Sequence, residues 1–439
     1  MIMYRKPQLR FFLILTAFFA IFLISSPAAQ AARSVGGGRY FISSQSQVVK
    51  ALFGVQHEFK NGFTADLTSG EVWTLEKIFK TDVTSVPLYK VNAAAADSIT
   101  ANSVAAEAVD FIQEKESARA KARNFKPASS VPWGIKKIYG DNKIKTTFGG
   151  KDVTVAVLDT GINIKHPDLV NRIVDCKDFT RGPVPRATCQ DQNGHGTHAA
   201  GIIAADGSAD GAGIWGVASE AKLSAYKVCR NDGTCWADDV ASGLNFAALN
   251  KINIVSMSLG GGSEVALLKD AIEEAYRSGV LIIASAGNDG PAKGSIDWPA
   301  AYPEVVAVGA IDEEELVPDW SSRGVNDGDY IVENREIEFA APGVNVESTW
   351  FDGGYRFVSG TSAATPHIAG LAAKLWAGAS TSTRIILQNS ARDIGVFGDD
   401  IATGLGLPVL PKIFNSPVIT EEIYFQPASS EIIEEFPSN

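Results

Sequence analysis

The chain has 439 residues, of which 45% are hydrophobic and 20% charged. This composition allows a large buried core and excludes an intrinsically disordered chain, and the length exceeds that of an average single domain. The formal net charge of −11 argues against a nucleic-acid binder, because such a protein needs a basic face to contact phosphates.

The N-terminus has the parts of a secretory signal peptide. Basic residues precede an apolar stretch from Phe11 to Ile24, and Ala29-Gln30-Ala31 supplies a small-residue cleavage site. A transmembrane anchor is the alternative, but fourteen helical residues span only about 21 Å, less than the ~30 Å of a bilayer's hydrocarbon core. We therefore expect residues 1–31 to be removed and the protein to be secreted, into the extracellular medium or the periplasm.

The next segment, up to about Val91, predicts a compact α+β unit. Thr68 and Glu71 have the spacing of a capping box at the start of its second helix. A unit of this size is marginally stable alone and gains by packing on a partner. The predicted elements are a strand at Tyr40–Ser43, a helix at Ser46–Phe53, strands around Glu58–Leu67, a helix from Ser69 and a strand at Val83–Val91.

Two other segments carry few signals of secondary structure. Residues 93–130 are rich in Ala, Ser, Glu, Lys and Arg, and they predict an exposed connector that contains a processing site. Residues 413–439 are acidic and predict a solvated tail.

From Val131 to about Leu410 the pattern alternates between strand and helix. Near-continuous apolar runs are typical of strands buried on both faces, so the alternation predicts an α/β fold. We expect a predominantly parallel central sheet with helices on both faces, and reactive residues at the carboxyl ends of its strands. The predicted strands are Val153–Leu158, Leu223–Val228, Ile252–Leu259, Val280–Ala286 and Val305–Ile311, and the predicted helices His195–Ala205, Ala237–Asn250 and Val265–Ser278.

Four cysteines fall as two close pairs, Cys176 with Cys189 and Cys229 with Cys235. In a chain that reaches an oxidising compartment, we expect two disulfides, each joining near neighbours. A zinc site is the alternative, but the spacings are not C-x-x-C.

Three short segments carry candidate catalytic residues. Asp159 directly follows a buried strand, His195 opens a helix of small residues, and Ser362 follows Gly360-Thr361 at a predicted helix start. Alone, each has an ordinary alternative, such as a strand-ending Asp or a helix-capping Ser. Together they supply what a serine nucleophile needs, which is a base to take its proton and a carboxylate to orient that base.

Asn288 adds a neutral amide donor at the end of another predicted strand, where it can stabilise an oxyanion. His198 lies on the same helix face as His195. A metal pair would need a further ligand that no motif supplies, so we interpret His198 as structural.

These segments, in the order Asp159, His195, Asn288 and Ser362, resemble the signature motifs of the subtilisin-like serine proteases. The resemblance covers about Val131 to Leu410. It implies a catalytic triad with Asn288 at the oxyanion position, in an endopeptidase that acts on polypeptides without a cofactor for the chemistry. We expect a monomer that binds neither nucleic acid nor, after signal removal, membrane.

The resemblance also assigns substrate-binding residues. Asp297 aligns with the base of the pocket for the residue before the cut, where a small residue is usual and a buried carboxylate would favour Lys or Arg. The alternative is an Asp turned to solvent or bonded to backbone. The strand edge that pairs with substrate and the segment opposite it comprise Ser258, Leu259, Gly260, Gly261, Ser285, Ala286 and Gly287.

The segment ending in Asp168-Leu169 resembles one whose Asp binds calcium in many family members. Further ligands would come from the loop 206–214, which carries Asp206 and Asp210. Oxygen ligands of this kind suit Ca²⁺. The alternative is a set of solvated loop carboxylates.

The run from His57 to Leu67 resembles the family's inhibitory propeptide, which implies an intramolecular chaperone and inhibitor that is cleaved off. The expected function is a secreted, self-processed serine endopeptidase. The alternatives are a dedicated processing protease that cuts after basic residues and a non-catalytic peptide-binding relative, against which the intact triad argues. The expected domains are a signal peptide (1–31), propeptide (32–92), connector (93–130), catalytic domain (131–412) and tail (413–439).

Overall fold

A computed structural model describes residues 37–93 and 126–411. The predicted signal peptide, most of the predicted connector and the acidic tail lie outside the described residues.

The N-terminal domain, residues 37–86, is an antiparallel sheet with the strand order β2-β3-β1-β4 and two helices. Its small core includes Ile42, Phe53, Phe63 and Leu75. The predicted α+β unit is thus present as a folded body. Its elements are β1 (Gly38–Ile42), α1 (Gln47–Phe53), β2 (His57–Phe59), β3 (Gly62–Leu67), α2 (Ser69–Lys77) and β4 (Val83–Ser85).

The predicted capping box starts α2. The Thr68 hydroxyl accepts a hydrogen bond from the Glu71 backbone N–H at 3.4 Å, and the Glu71 carboxylate accepts one from the Thr68 N–H at 2.8 Å. Two N–H groups that have no partner within the helix are satisfied in this way.

The remaining residues form the large domain. Its elements are α3 (Trp133–Tyr139), β6 (Thr154–Asp159), β7 (Ile173–Asp178), α4 (His195–Ala204), β8 (Lys222–Lys227), β9 (Thr234–Trp236), α5 (Ala237–Leu249), β10 (Ile254–Met257), β11 (Leu259–Gly260), α6 (Ala266–Arg277), β12 (Leu281–Ser285), β13 (Val305–Ile311), β14 (Phe339–Pro342), β15 (Val346–Thr349), β16 (Tyr355–Val358), α7 (Thr361–Lys374), α8 (Ser380–Ser390), β17 (Ala391–Arg392) and β18 (Leu407–Pro408). One further strand, β5 (Leu88–Val91), links the two domains.

The centre of the large domain is a seven-stranded parallel sheet in the order β14-β13-β12-β10-β6-β8-β7. Alternate residues of each strand enter two hydrophobic clusters. Val155 and Val157 of β6 pack with α4 and α7, whereas Ala156 and Leu158 pack with α5 and α6. Helices therefore cover both faces of the sheet, which confirms the predicted fold class.

Two predicted strands are each divided in the structure. The run Val83–Val91 separates into β4 and β5, because Pro87 has no N–H to continue the ladder and the chain then leaves the first sheet. The run Ile252–Leu259 separates into β10 and β11, which belong to different sheets. The edge strands β7 and β14 were not predicted, since their short or charged sequences lack a continuous apolar run.

The predicted disulfide pairing is confirmed, because Cys176 is bonded to Cys189 and Cys229 to Cys235. The second bridge spans the turn before β9 and so braces the strand that lies beside β5. Among the described residues, no helix is both long and apolar enough to span a bilayer.

We expect the two disulfides to stabilise the chain by different amounts. Their cysteines are 13 and 6 residues apart, and the chain-entropy model gives about 3 kcal/mol for the first and about 2 kcal/mol for the second. Urea titrations of Cys176→Ala/Cys189→Ala and Cys229→Ala/Cys235→Ala, beside the wild type, measure both losses of unfolding free energy. A larger loss for the second pair would contradict a mainly entropic contribution.

Candidate active site

Asp159 and His195 form a buried hydrogen-bonded pair. Asp159 is the last residue of β6, and His195 is the first residue of α4. The His195 Nδ1 lies 2.8 Å from Oδ1 and 2.9 Å from Oδ2 of Asp159. A side chain at Gly196 would collide with the carbonyl oxygen of Gly161, so the glycine permits this close approach of helix and strand.

The charges around His195 favour its protonated form. Burial opposes a charge on the imidazole, but the adjacent Asp159 carboxylate outweighs burial and raises the pKa of His195 above its ordinary value. With Nδ1–H donated to Asp159, the neutral ring has Nε2 free to accept a proton. This is the tautomer that a general base for a hydroxyl group requires.

Asp191 holds the loop before α4, a role that the sequence analysis missed. Its Oδ1 accepts a hydrogen bond from Thr160 Oγ1 at 3.0 Å, and its Oδ2 accepts one from Thr197 Oγ1 at 2.6 Å. The backbone N–H of Gly194 also donates to Oδ1, at 3.0 Å. An acidic residue four positions before a helix-starting histidine was the available signal.

Ser362 is the second residue of α7, which packs against α4. Its side chain is buried, and its hydroxyl has no hydrogen-bond partner in the described part of the chain. Ser258 Oγ donates a hydrogen bond to the Ser362 carbonyl oxygen at 2.9 Å, which ties the start of α7 to the end of β10.

Asn288 is oriented by Thr361, a second residue that the sequence analysis did not identify. The Thr361 backbone N–H and hydroxyl both donate to Asn288 Oδ1, each at 3.1 Å. The Asn288 Nδ2 donates a hydrogen bond to the carbonyl oxygen of Asn92 at 2.7 Å. The Ser362 backbone N–H donates to the same oxygen at 3.2 Å.

The Asn92 carbonyl thus sits between two donors beside the predicted nucleophile, at the end of strand β5. This strand is the middle member of a three-stranded antiparallel sheet, with β11 on one side and β9 on the other. Val91 lies opposite Leu259, and the Asn92 N–H donates to the Ser258 carbonyl oxygen at 3.0 Å. An extended segment of this chain occupies the cleft in the manner of a bound peptide.

The predicted strand edge contacts this segment along its length. Ser258, Leu259 and Gly260 bond to or lie opposite its backbone, as described for Asn92 and Val91. Gly261 instead packs against the Tyr89 ring, because a Cβ at this glycine would lie 2.6 Å from Tyr89 Cδ1.

The side chain of Asn92 enters a pocket lined by Gly260, Ser285, Gly287 and Asp297, which we call the Asn92 pocket. Its Nδ2 donates to Ser285 Oγ at 2.9 Å, and the Asp297 carboxylate lies beside the same amide.

A backbone hydrogen bond holds Asp297 in the wall of the Asn92 pocket, where its side chain is buried. The Asp297 N–H donates to the Ala286 carbonyl oxygen at 2.7 Å, and Asp297 is only 5% exposed. Burial and the neighbouring Asp289 raise the pKa of Asp297 to about 7, against the opposing effect of the Asn92 amide. The carboxylate faces the pocket, so the solvent-facing alternative does not apply.

His198 is buried away from Asp159. Its Nε2 lies 2.9 Å from the Val346 carbonyl oxygen, and burial lowers the pKa of His198 to about 3. A neutral histidine bonded to backbone agrees with the structural role expected from the sequence.

Asp168 is fully buried, with one oxygen satisfied and one not. Its Oδ2 accepts hydrogen bonds from the Ile214 N–H at 2.8 Å and the Tyr355 hydroxyl at 2.9 Å. Its Oδ1 has no hydrogen-bond partner within the described ranges. Burial raises the pKa of Asp168, which the hydrogen bond from Ile214 opposes.

The other two candidate calcium ligands bond to their neighbours. Asp206 accepts from the Ser208 N–H at 3.3 Å and lies 3.4 Å from Arg172, and Asp210 accepts from the Ala212 N–H at 3.0 Å. Within residues 37–93 and 126–411, the structure does not gather three metal-ligating side chains at Asp168. Any cation there would need backbone oxygens as well.

Comparison with known proteins identifies the large domain. The model of the subtilase family, Peptidase_S8, matches residues 150–406, more than half of the chain. A subtilisin from Bacillus sp. (strain TA39) is 41% identical over 382 residues, covering 81% of this chain and 86% of the relative.

Two solved structures agree with this match. Sphericase is 44% identical with a TM-score of 0.64, covering 65% of this chain and all of its own. The S41 psychrophilic protease is 45% identical with a TM-score of 0.63, covering 65% of this chain and 99% of its own. The chain therefore belongs to the subtilase family and is a subtilisin-like serine endopeptidase.

Proposed function

We propose that Ser362 is the nucleophile of this endopeptidase, His195 its general base and Asp159 the group that orients the base. In the reaction, Ser362 Oγ attacks the carbonyl carbon of the cleaved peptide bond while its proton passes to His195 Nε2. The protonated imidazole is stabilised by Asp159, and it then gives the proton to the departing amine. Water hydrolyses the resulting acyl-enzyme by the same steps, with His195 taking the proton of the water.

The position of the Asn92 carbonyl is the observation that carries this proposal. Hydrogen bonds from the Ser362 N–H and the Asn288 amide meet at the oxygen that would become negative when the hydroxyl attacks. Donors already held in place gain strength as that charge develops, so they lower the barrier more than they tighten substrate binding.

Replacing Asn288 by Ala should remove one of these donors. We expect kcat to fall by about 10²–10³-fold with a much smaller change in KM, because the bond strengthens in the transition state. Steady-state kinetics on a peptide amide measures both constants. Thr361→Val serves as a matched variant, since it keeps Asn288 but removes the hydroxyl bond to its Oδ1, and a smaller loss of kcat is expected. An unchanged kcat for Asn288→Ala would contradict the assigned role.

We further propose that the N-terminal domain is an inhibitory propeptide, cut by the enzyme itself between Asn92 and Ala93. The strand β5 fills the cleft and presents the carbonyl of Asn92 to the nucleophile, as a substrate would. This bond coincides with the boundary expected between propeptide and connector.

A buried network of charges supports this interpretation of the N-terminal domain. Asp238 and Asp239 lie in the first turn of α5 in the large domain. Arg39 donates to Asp239 at 2.9 Å, His57 Nε2 lies 2.8 Å from the same carboxylate, and Thr64 donates to Asp238 at 2.6 Å. Both acidic side chains obtain partners from the N-terminal domain. The two domains are therefore complementary at this contact as well as at the cleft.

Self-processing is tested by comparing the wild type with Ser362→Ala by intact-mass spectrometry. We expect a fragment ending at Asn92 from the wild type and an uncut junction in Ser362→Ala. Labelling by a fluorophosphonate, in the wild type only, separates an active enzyme from a non-catalytic peptide binder. An Asn92–Ala93 bond that is cut equally in Ser362→Ala would overturn the proposal.

We propose secretion from two features that point the same way. The N-terminal sequence has the pattern of a signal peptide, and all four cysteines are paired in disulfides, which persist in oxidising compartments.

We also propose a structural Ca²⁺ site at Asp168. The unpaired, buried Oδ1 is the observation that favours a cation, since a buried carboxylate oxygen without a partner is costly. Gly213 abuts this oxygen, and a side chain at this position would collide with it. Asp168 would hold the ion together with backbone carbonyl oxygens of the loop 206–214, and the ion would take no part in the chemistry.

The calcium proposal predicts a lower melting temperature of the mature enzyme in the presence of a chelator. Restoring Ca²⁺ should reverse the change in the wild type but not in Asp168→Asn, because the variant lacks the anionic ligand. Differential scanning calorimetry with and without chelator measures the effect, and Asp152→Asn, at an exposed carboxylate outside this loop, is the matched control. Equal chelator shifts in the wild type and Asp168→Asn would exclude this site.

A further inference from the structure

The Asn92 pocket is shallow, and its end is polar. A Cβ placed at Gly260 would lie 2.9 Å from Asn92 Nδ2 and also 2.9 Å from Asp297 Cβ. A Cβ placed at Gly287 would lie 2.7 Å from Asp297 Oδ2. The carboxylate therefore stands at the level of the Asn92 amide and closes the pocket there.

The polar groups at the end of the Asn92 pocket suit a short side chain that carries an uncharged hydrogen-bond donor. Ser285 Oγ accepts a hydrogen bond from the Asn92 amide nitrogen at 2.9 Å, and the Asp297 carboxylate lies beside the same amide. An asparagine side chain has the length that places its N–H donors beside these two acceptors. Both acceptors are buried, so a side chain without a donor would leave them unpaired.

We propose that Ser285 and Asp297 make this enzyme select asparagine at the position immediately before the cut bond. The proposal rests on the proposed function, since it assumes that Asn92 occupies the cleft as a substrate does. It extends that function by naming the side chain that the enzyme recognises in its polypeptide substrates.

The same geometry disfavours the other side chains that could enter this pocket, each for a different reason. Aspartate has the shape of asparagine, but above pH 7, where Asp297 is ionised, it would bring a second carboxylate against Asp297, close to Asp289. Leucine offers no hydrogen bond to the buried acceptors. Lysine and arginine carry donors but extend beyond the depth at which Asp297 closes the pocket, so the preference for basic residues expected from the sequence is not the one that this pocket supports.

A series of peptides that differ only at the residue before the cut bond tests the selection directly. The mature wild type is given Tyr-Lys-Val-X followed by a chromogenic amide, with the first three residues copied from residues 89–91 and X as Asn, Asp, Leu, Gln or Arg. We expect kcat/KM for Asn to exceed that for Asp and for Leu by on the order of 100-fold, because unpaired or repelling buried groups are strongly disfavoured. Gln and Arg should also be cut more slowly than Asn.

Asp297→Asn supplies the matched variant, because it keeps the shape of the side chain and replaces one acceptor by a donor. It should reverse the order of the Asn and Asp peptides. Asp152→Asn, at an exposed carboxylate on the turn before β6, should leave the order unchanged. If Asp297→Asn does not fold, the wild-type peptide series decides alone.

The possible failures can be told apart. If Leu or Arg peptides are cut as fast as Asn peptides, the selection is overturned while the protease function stands. If no peptide is cut and the fluorophosphonate does not label Ser362, the proposed function itself fails.

Discussion

The parallel pairing of β10 with β6 on one side and β12 on the other is the interaction on which the site depends. In this register Ser256 lies opposite Val157, and Met257 opposite Ala284, so the three strands end at nearly the same height. Asp159, Ser258 and the loop carrying Asn288 consequently meet at one edge of the sheet. Because these strands are buried on both faces, a shift of one residue would cost core packing as well as the site.

The catalytic roles proposed for four residues rest on signatures that are local in the sequence. Asp159, His195, Asn288 and Ser362 each follow or begin an element that the apolar pattern predicts. The structure pairs Asp159 with His195 and brings Asn288 and Ser362 to the same carbonyl oxygen. The cysteine spacing was likewise enough for the disulfides. Local pattern works here because parallel strands direct their carboxyl ends to a common edge, whatever the distance between them along the chain.

Other features depend on contacts that no local pattern encodes. Thr361 orients an amide 73 residues away along the chain, and Asn92 reaches donors 196 and 270 residues further on. The unpaired oxygen of Asp168 is visible only once its neighbours are placed. A sequence shows that Asp297 is unusual at its position, but not that an asparagine from the same chain lies against it.

The place of β5 as the middle strand of three has a consequence if the proposed cleavage releases that strand. Its departure would leave two facing sheet edges, β9 and β11, with unpaired N–H and C=O groups. Such edges accept any extended chain, including an unfolded copy of the same protein. A newly made molecule with an empty cleft would thus be open to aggregation and to digestion by its neighbours. A strand covalently attached to the domain whose edges it covers is present there at a high effective concentration from the start.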